Sequence, residues 1–270
     1  MMSEITIGQY FPGKSVIHKM DARMKIVLVV LFIVALFLSK NFISLALVIV
    51  ALIAIISVSS IPFKTIRKSL KPLLMIIILT ALINLFYGTG DPLVQFGIFK
   101  ITLDGIYKAI FMSFRISLLV VAGSMLTYTT SPTELTDAIE RLFKPLKYIK
   151  IDVHTIAMIM TIALRFIPTL VEEIDKITAA QKSRGADMES GNVFKRIKAL
   201  VPVIIPLFIS SFRRAKELAD AMECRCYRGG EGRTKMKIAK LHTRDYAAFV
   251  ILAALIALVI YLNTLMVAVV

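Results

Sequence analysis

The chain has 270 residues, 57% of them hydrophobic, with a mean hydropathy of +0.79 and a formal net charge of +15. A composition this apolar excludes a soluble globular domain and indicates a protein whose surroundings are the lipid bilayer. The excess of basic residues is therefore interpreted as a signal of membrane topology. It does not indicate a nucleic-acid partner, because no soluble basic module is visible in the sequence.

The N-terminal residues contain a match to the phosphate-binding loop pattern, from Gly8 to Ser15. A functional loop of this kind needs a buried strand before it and a helix after it, with N–H groups that face phosphate. Only seven residues precede Gly8, Pro12 has no N–H, and a short polar link into a membrane span follows. The match therefore predicts no nucleotide site. We also expect no cleavable signal peptide, so that the first apolar helix remains as an anchor.

Five apolar runs have lengths suited to crossing about 30 Å of hydrocarbon. They cover approximately residues 24–39, 42–59, 72–87, 106–128 and 246–270. Basic residues precede the first run and separate the second from the third, whereas the loop 88–105 has only Lys100 against Asp91 and Asp104. Under the positive-inside rule, this pattern predicts a multi-pass protein of the cell membrane with a cytoplasmic N-terminus.

The region 131–240 is predicted to be a set of cytoplasmic helices. Residues 131–144 begin with Ser131-Pro132-Thr133-Glu134, a helix-start pattern, and end in basic residues, which favours an amphipathic helix in the headgroup plane. The apolar stretches 151–170 and 200–212 could be spans by hydropathy alone. Basic clusters before, between and after them argue against a crossing by either one. A paired crossing stays open, although it would place six basic residues outside.

The two long helices predicted here end in similar phrases. The first reads Ala-Gln-Lys-Ser-Arg-Gly over residues 180–185, and the second reads Ala-Met-Glu-Cys-Arg-Cys over residues 221–226. Aligning the phrases places Arg184 against Arg225. The same alignment places Glu172-Glu173 against Arg213-Arg214, so these charges can pair if the helices cross there. Gly185 is expected to end the first helix, and Gly229-Gly230 the second.

An arginine at a helix end can simply offset the helix dipole. Two arginines inside one repeated phrase favour a shared docking function instead. The two cysteines, Cys224 and Cys226, lie on the predicted second helix and would point to nearly opposite sides of it, so we expect free, reduced thiols. No set of four ligands for a structural zinc accompanies them, and no metal site is predicted.

Two further stretches are distinctive: the continuation from Cys224 to Thr234, and an opening with Gly8, Gln9, Tyr10, Pro12, Ser15, His18, Asp21, Ala22 and Arg23. With the arginine phrases they resemble the transmembrane T component, the EcfT/CbiQ-like scaffold, of energy-coupling factor (ECF) transporters. These are bacterial vitamin-uptake systems of the ABC type. The resemblance covers nearly the whole chain, and it departs from the family phrases where Ser183, Cys224 and Cys226 replace alanine or glycine.

The expected fold is an all-α membrane protein with about five transmembrane helices and a cytosolic coupling module of one amphipathic and two long crossing helices. The expected divisions are an N-terminal membrane-surface segment (1–23), transmembrane helices 1–4 (24–130), cytoplasmic coupling helices (131–240) and a C-terminal transmembrane helix (241–270). The surface location of residues 1–23 follows from the resemblance alone.

The resemblance implies a scaffold with no catalytic activity, which couples ATP hydrolysis by two ABC-type ATPases, EcfA and EcfA′, to movement of a membrane-embedded, substrate-binding S component. The chain itself would bind no cofactor, and ATP with magnesium would sit on the ATPases. The residues implied to dock on the ATPases are Ser183, Arg184, Gly185, Cys224, Arg225 and Cys226, supported by Tyr227, Arg228, Gly229, Gly230, Gly232 and Arg233, with Asp21 and Arg23 forming an N-terminal motif.

Two other classes of function fit the sequence less well. A self-contained secondary transporter needs a substrate site near the middle of the membrane, which intramembrane charges or broken helices would mark. The first four predicted spans are nearly free of acids, and Asn84 and Arg115 are their main polar residues. An intramembrane hydrolase needs a nucleophile motif or a metal-binding pair, and the sequence shows neither.

Overall fold

The computed structural model describes residues 10–86, 92–96, 99–149, 152–186, 192–229 and 241–265. Helices account for most of this part of the chain, and 3₁₀ turns follow α3 (Lys71–Leu73) and α6 (Lys144–Ile149). An antiparallel hairpin, which the sequence did not predict, lies before α5. The elements are α1 (Ala22–Leu38), α2 (Phe42–Ser59), α3 (Phe63–Leu70), α4 (Leu74–Phe86), β1 (Pro92–Phe96), β2 (Phe99–Thr102), α5 (Leu103–Thr129), α6 (Pro132–Leu142), α7 (Val153–Ser183), α8 (Val193–Cys224) and α9 (Thr243–Leu265).

The all-α membrane class is confirmed. By length and composition, five segments of the described chain could cross a bilayer: Phe42–Ser59, Phe63–Phe86, Leu103–Thr129, Val153–Ser183 and Thr243–Leu265. This set of candidate spans differs from the five spans predicted from the sequence in two places. Helix α1 is not among them, because its 17 residues put it at the short end of the spanning range. Helix α7 is among them, so its length and composition leave open whether residues 151–170 cross the membrane. Helix α8 is not among the candidate spans.

The chain divides into two compact units. The bundle unit comprises the described residues of 8–138 and 237–270, and the arm unit comprises those of 139–236. In the bundle unit, α1, α2, α5 and α9 share one apolar core. Side chains from all four helices are buried there: Phe32, Leu36, Leu45, Val48, Phe111, Leu118, Val121, Tyr128, Leu252 and Val259.

Helices α4 and α5 approach closely at one glycine. The N-terminus of α5 is capped by the Thr102 hydroxyl, which accepts a hydrogen bond from the Gly105 N–H at 3.0 Å. A Cβ atom on Gly105 would lie 2.7 Å from the carbonyl oxygen of Leu85. Only glycine therefore allows this helix pair its observed separation.

Buried charges join the N-terminal segment to α9. Asp245, only 1% exposed, accepts hydrogen bonds from the backbone N–H of Asp21 at 3.2 Å and of His242 at 2.8 Å. The carboxylate of Asp21 in turn accepts from Arg23, whose Nη2 lies 2.7 Å from Oδ2. Lys25, also buried, donates to the carbonyl oxygens of Thr129 and His18. The N-terminal motif, Asp21 and Arg23, thus belongs to the bundle unit, where it holds the segment before α1 against α9.

The opposite end of α1 is also held by polar side chains from other helices. Arg115 of α5 donates to the carbonyl oxygen of Ser39 and lies over the Phe111 ring at 4.7 Å. Asn263 of α9 donates to the carbonyl oxygen of Leu38 at 2.6 Å. These contacts satisfy carbonyl groups that the end of α1 leaves without helical partners.

We predict that Asp245→Ala lowers the free energy of unfolding by about 2 to 3 kcal/mol, because two hydrogen bonds to a buried, charged acceptor are lost and the N–H groups of Asp21 and His242 lose their acceptor. Asp245→Asn keeps one acceptor and should lose less. Thermal and denaturant unfolding of the purified full chain would measure both. Asp220→Ala, on an exposed carboxylate of α8, is the control and should change stability by less than about 0.5 kcal/mol. Equal effects of the two alanine variants would contradict the prediction.

The crossing and ends of the two long helices

In the arm unit, Glu173 ties α7 to α8. Its carboxylate accepts hydrogen bonds from the hydroxyl of Ser210 and from the guanidinium of Arg214. The side chains of Glu173 and Arg214 are 18% and 34% exposed, and Ser210 is buried. The pairing expected from aligning the two phrases is therefore confirmed at Glu173 and Arg214. Partial burial makes this contact stronger than an exposed ion pair, because water screens it less.

Both helices run without a break through their prolines, Pro168 in α7 and Pro202 with Pro206 in α8. A proline removes one intrahelical hydrogen bond and leaves a carbonyl free. The carbonyl oxygen of Pro202 lies 3.3 Å from Nε2 of Gln181, which donates to it from α7. This second contact between the helices lies towards the arginine-bearing end of α7.

The N-terminus of α7 is capped by Asp152, whose carboxylate accepts from the N–H of Thr155 at 3.2 Å and from its hydroxyl at 2.5 Å. These hydrogen bonds favour the ionised carboxylate and hold the pKa of Asp152 below its ordinary value. The N-terminus of α7 is therefore capped by a charged carboxylate at neutral pH.

The first arginine sits at the C-cap of α7. The helix ends at Ser183, and Arg184 follows as the capping residue. Gly185 then adopts a left-handed conformation with φ of +86°. Its N–H donates to the carbonyl oxygen of Lys182, and the N–H of Ala186 donates to that of Gln181, both at 3.0 Å. This pair of hydrogen bonds is a Schellman motif. The prediction that Gly185 ends the first helix as its C′ residue is confirmed.

The second arginine occupies the same position at the end of α8. The helix ends at Cys224, and Arg225 is followed by Cys226 with φ of +57°. The N–H of Cys226 donates to the carbonyl oxygen of Glu223 at 2.8 Å, and that of Tyr227 donates to Met222 at 3.0 Å. These are the same two hydrogen bonds as at α7, so the repeated phrase encodes one repeated backbone turn.

The predicted end of the second helix was wrong. Gly229-Gly230 does not terminate α8, because the left-handed residue that closes the turn is Cys226. Cys226 therefore lies outside the helix, and its side chain does not oppose that of Cys224 across a helix as expected. Gly229 has φ of +83° in the segment that follows. Gly230, Gly232 and Arg233 fall outside the described residues.

The side chains around both turns are open to solvent. Ser183, Arg184 and Arg225 are exposed, and the exposed thiols of Cys224 and Cys226 are free. Within the described residues, neither Arg184 nor Arg225 has an acidic partner. Tyr227 is half-buried and Arg228 is exposed. Each turn thus presents an uncompensated guanidinium on a fixed backbone, which can bind a carboxylate from another molecule.

Sequence reasoning missed a small apolar cavity of about 90 Å³ within the arm unit, lined by Ile139, Glu140, Phe143, Val153, Ile156, Ala157 and Met160. Beside it, Nδ1 of His154 lies 3.1 Å from Oε1 of Glu140. This contact joins α6 to the start of α7. A histidine near the beginning of one helix and a glutamate near the end of the preceding one were the signal available in the sequence.

We predict opposite effects of substitution at the two left-handed positions. Cys226→Gly should stabilise the last turn of α8, and Gly185→Ala should destabilise that of α7, each by about 1 kcal/mol, because a side chain strains the left-handed backbone. Hydrogen exchange of the turn amides would change about fivefold in each case. Cys224→Ala, at a helical position, is the control and should leave exchange nearly unchanged. Faster exchange in Cys226→Gly would contradict the prediction.

Comparison with known proteins identifies the family of this chain. Residues 13–236 match the family model for CbiQ, described as cobalt transport protein. The chain is 52% identical to the energy-coupling factor transporter transmembrane protein EcfT of Ruminiclostridium cellulolyticum, over 88% of this chain and 89% of the relative. It is 43% identical to EcfT of Bacillus subtilis, over 97% of this chain and 100% of the relative. The resemblance inferred from the sequence is thereby confirmed, and the chain belongs to the CbiQ/EcfT family of multi-pass membrane proteins.

Proposed function

We propose that this chain is the scaffold subunit of an ECF importer. In this role it couples ATP hydrolysis by two ABC-type ATPases to movement of a separate membrane protein, the S component, which binds the substrate. The observation that carries the proposal is the equivalence of the two helix ends, each with an exposed arginine at the same position of the same turn and no acidic partner for it in the described part of the chain. The relatives named as the transmembrane protein of energy-coupling factor transporters support it.

Arg184 and Arg225 would each dock on one ATPase. The planar guanidinium can hold a carboxylate with two parallel hydrogen bonds and stays charged at every physiological pH. The Schellman turn fixes the backbone on both sides of each arginine, so little conformational freedom is lost on docking. Two equal turns suit two related ATPases, which would present similar grooves.

The contact of Glu173 with Ser210 and Arg214 would carry force between the docked ends. Because the carboxylate holds both partners on α8, displacement of α7 by one ATPase also displaces α8. Movement of the ATPases towards each other would then reach the S component through the crossed helices. In this mechanism the chain transmits motion and catalyses no reaction.

Nucleotide would bind to the ATPases and not to this chain. Ser15 is the last residue of the match to the phosphate-binding loop pattern. Its hydroxyl is already hydrogen-bonded within the chain, to Nδ1 of His18 at 2.7 Å. No α-helix begins there, and the next helix in the described chain starts at Ala22. A phosphate-binding loop requires that helix to follow directly.

The secondary-transporter alternative gains no support from Arg115. Its guanidinium is used within the bundle unit, where it donates to the Ser39 carbonyl and lies over Phe111. A buried cation held in this way stabilises the end of α1 and is not presented to a substrate.

We predict that Arg184→Ala and Arg225→Ala each weaken co-purification with the ATPases by about 30-fold or more, because truncating a charged anchor at an interface costs about 2 to 5 kcal/mol. Arg184→Lys and Arg225→Lys should remain impaired, since lysine keeps the charge but loses the two-pronged hydrogen bonding. Substrate uptake should fall in parallel, and the double alanine variant should be nearly inactive while still present in the membrane.

The matched control is Arg213→Ala, which removes an exposed arginine from the middle of α8. It should leave recovery of the complex within about twofold of the unmodified chain. Unchanged assembly and uptake in the double alanine variant would leave the arginines only the role of offsetting helix dipoles, and the proposal would fail.

We further predict that Asn192, which precedes α8, faces the cytoplasm, because basic residues lie on both sides of it. With Cys224 and Cys226 replaced by serine, Asn192→Cys should resist a membrane-impermeant maleimide in intact cells and react after permeabilisation. Lys100→Cys, in the loop expected outside, is the control and should react in intact cells. Lys235 is expected to be cytoplasmic too and lies outside the described residues. Strong external labelling of Asn192→Cys would show that α7 crosses the membrane.

A further inference from the structure

The bundle unit contains an apolar cavity of about 510 Å³. Four helices contribute to it, with the first half of α1 and α9 facing the second half of α2 and α5, and the N-terminal segment closes it at one end. Along its length, the cavity extends from Arg244, at the start of α9, to Phe32 and Leu255, near the middles of α1 and α9. We call the Arg244 end its outer limit. Nearly all other lining groups are aliphatic.

The cavity has the depth of one membrane leaflet. Along α9 its lining extends from Arg244 to Leu255, which corresponds to roughly 16 Å at 1.5 Å per helical residue. The hydrocarbon core of a bilayer is about 30 Å thick, so one leaflet supplies about half of that. The lining residues Val58 and Ile251 are also exposed, at 51% and 69%, so the cavity opens sideways to the bilayer.

At its Arg244 end the cavity carries a cation for which the described residues provide no ion pair. Arg244 is half-buried, and within the described residues no carboxylate pairs with it. The adjacent carboxylate of Asp245 is directed to the N–H groups of Asp21 and His242. Lys25 lies in the same wall, with its ammonium group on the carbonyl oxygens of Thr129 and His18.

Other acidic groups nearby are already engaged. Three carboxylates lie close enough to Lys25 to act on its charge: Glu134, Asp21 and Asp245. Glu134 is exposed in the first turn of α6 and accepts from the N–H of Ser131, and Asp21 is held by Arg23. The guanidinium of Arg244 therefore remains available to an anion that approaches from the bilayer.

We propose that this cavity is a binding site for an anionic phospholipid, with one acyl chain between the four helices and the phosphate on Arg244. The apolar walls fit a hydrocarbon chain, the depth fits one leaflet, and the cation lies where a headgroup would be. The occupied site fills the space between α9 and α2 and so supports the attachment of the last helix to the bundle. The proposal does not depend on ATPase docking.

The test uses fluorescence, since the chain has no tryptophan. Phe32→Trp places a reporter inside the cavity, and Phe249→Trp, on the exposed surface of α9 and outside the lining, reports ordinary surrounding lipid. Each full-length variant is reconstituted into vesicles of phosphatidylglycerol and phosphatidylcholine, with bromine on the acyl chains of one lipid at a time. Bromine quenches tryptophan only on contact.

The Phe32→Trp reporter should prefer phosphatidylglycerol over phosphatidylcholine by about fivefold, the contribution of one basic residue near an anionic lipid. The preference should fall to about one when Arg244→Gln is added and survive with Arg244→Lys. Arg67→Gln, which removes an exposed arginine of α3 outside the cavity, should leave it unchanged. Phe249→Trp should show no preference.

Absence of quenching at Phe32→Trp, equal quenching by both lipids, or a preference that survives Arg244→Gln would each overturn the proposal. Should Phe32→Trp fail to fold, native mass spectrometry of the unsubstituted chain provides the second measurement. The unsubstituted chain should bind phosphatidylglycerol at a lipid concentration about fivefold lower than the Arg244→Gln variant needs. Equal retention of the lipid by the two chains would also overturn the site.

Discussion

The ends of the helices leave backbone N–H and carbonyl groups that no residue of the same helix can satisfy, and hydrocarbon offers these groups no water. In this protein, the side chains that hydrogen-bond these helix-end groups also determine how the helices are arranged. Arg115 and Asn263 reach the last carbonyls of α1 from two other helices. Lys25 does the same for Thr129 at the end of α5. Each hydrogen bond satisfies a helix end and joins two elements.

The price of this arrangement is the burial of charge in the bundle unit. Lys25, Arg115 and Asp245 are all at least nine-tenths buried, and an isolated buried charge would cost several kcal/mol. Hydrogen bonds to backbone groups of neighbouring segments offset that cost here. The result is that the N-terminal segment and the C-terminal helix, which lie more than 200 positions apart, share one carboxylate at Asp245.

The arm unit solves the same problem without side chains from other helices. Both long helices close with their own Schellman turns, so the arginines at the C-caps are not consumed in satisfying carbonyl groups. Their guanidinium groups remain exposed and unpaired among the described residues. This contrast supports a docking role, since a cation used only to cap its own helix would be directed back to the last carbonyls.

The sequence by itself determined the helical membrane class, the two arginine phrases and the pairing of Glu173 with Arg214. Each follows from composition or from a repeat in register, which depends on local spacing alone. The tertiary structure decided what depends on contacts between distant segments: the burial of Asp245, the cavity beside Arg244 and the use of Arg115. It also placed the left-handed residue that closes the end of α8 at Cys226, because the two hydrogen bonds back to Met222 and Glu223, and not the nearest glycine pair, select that residue.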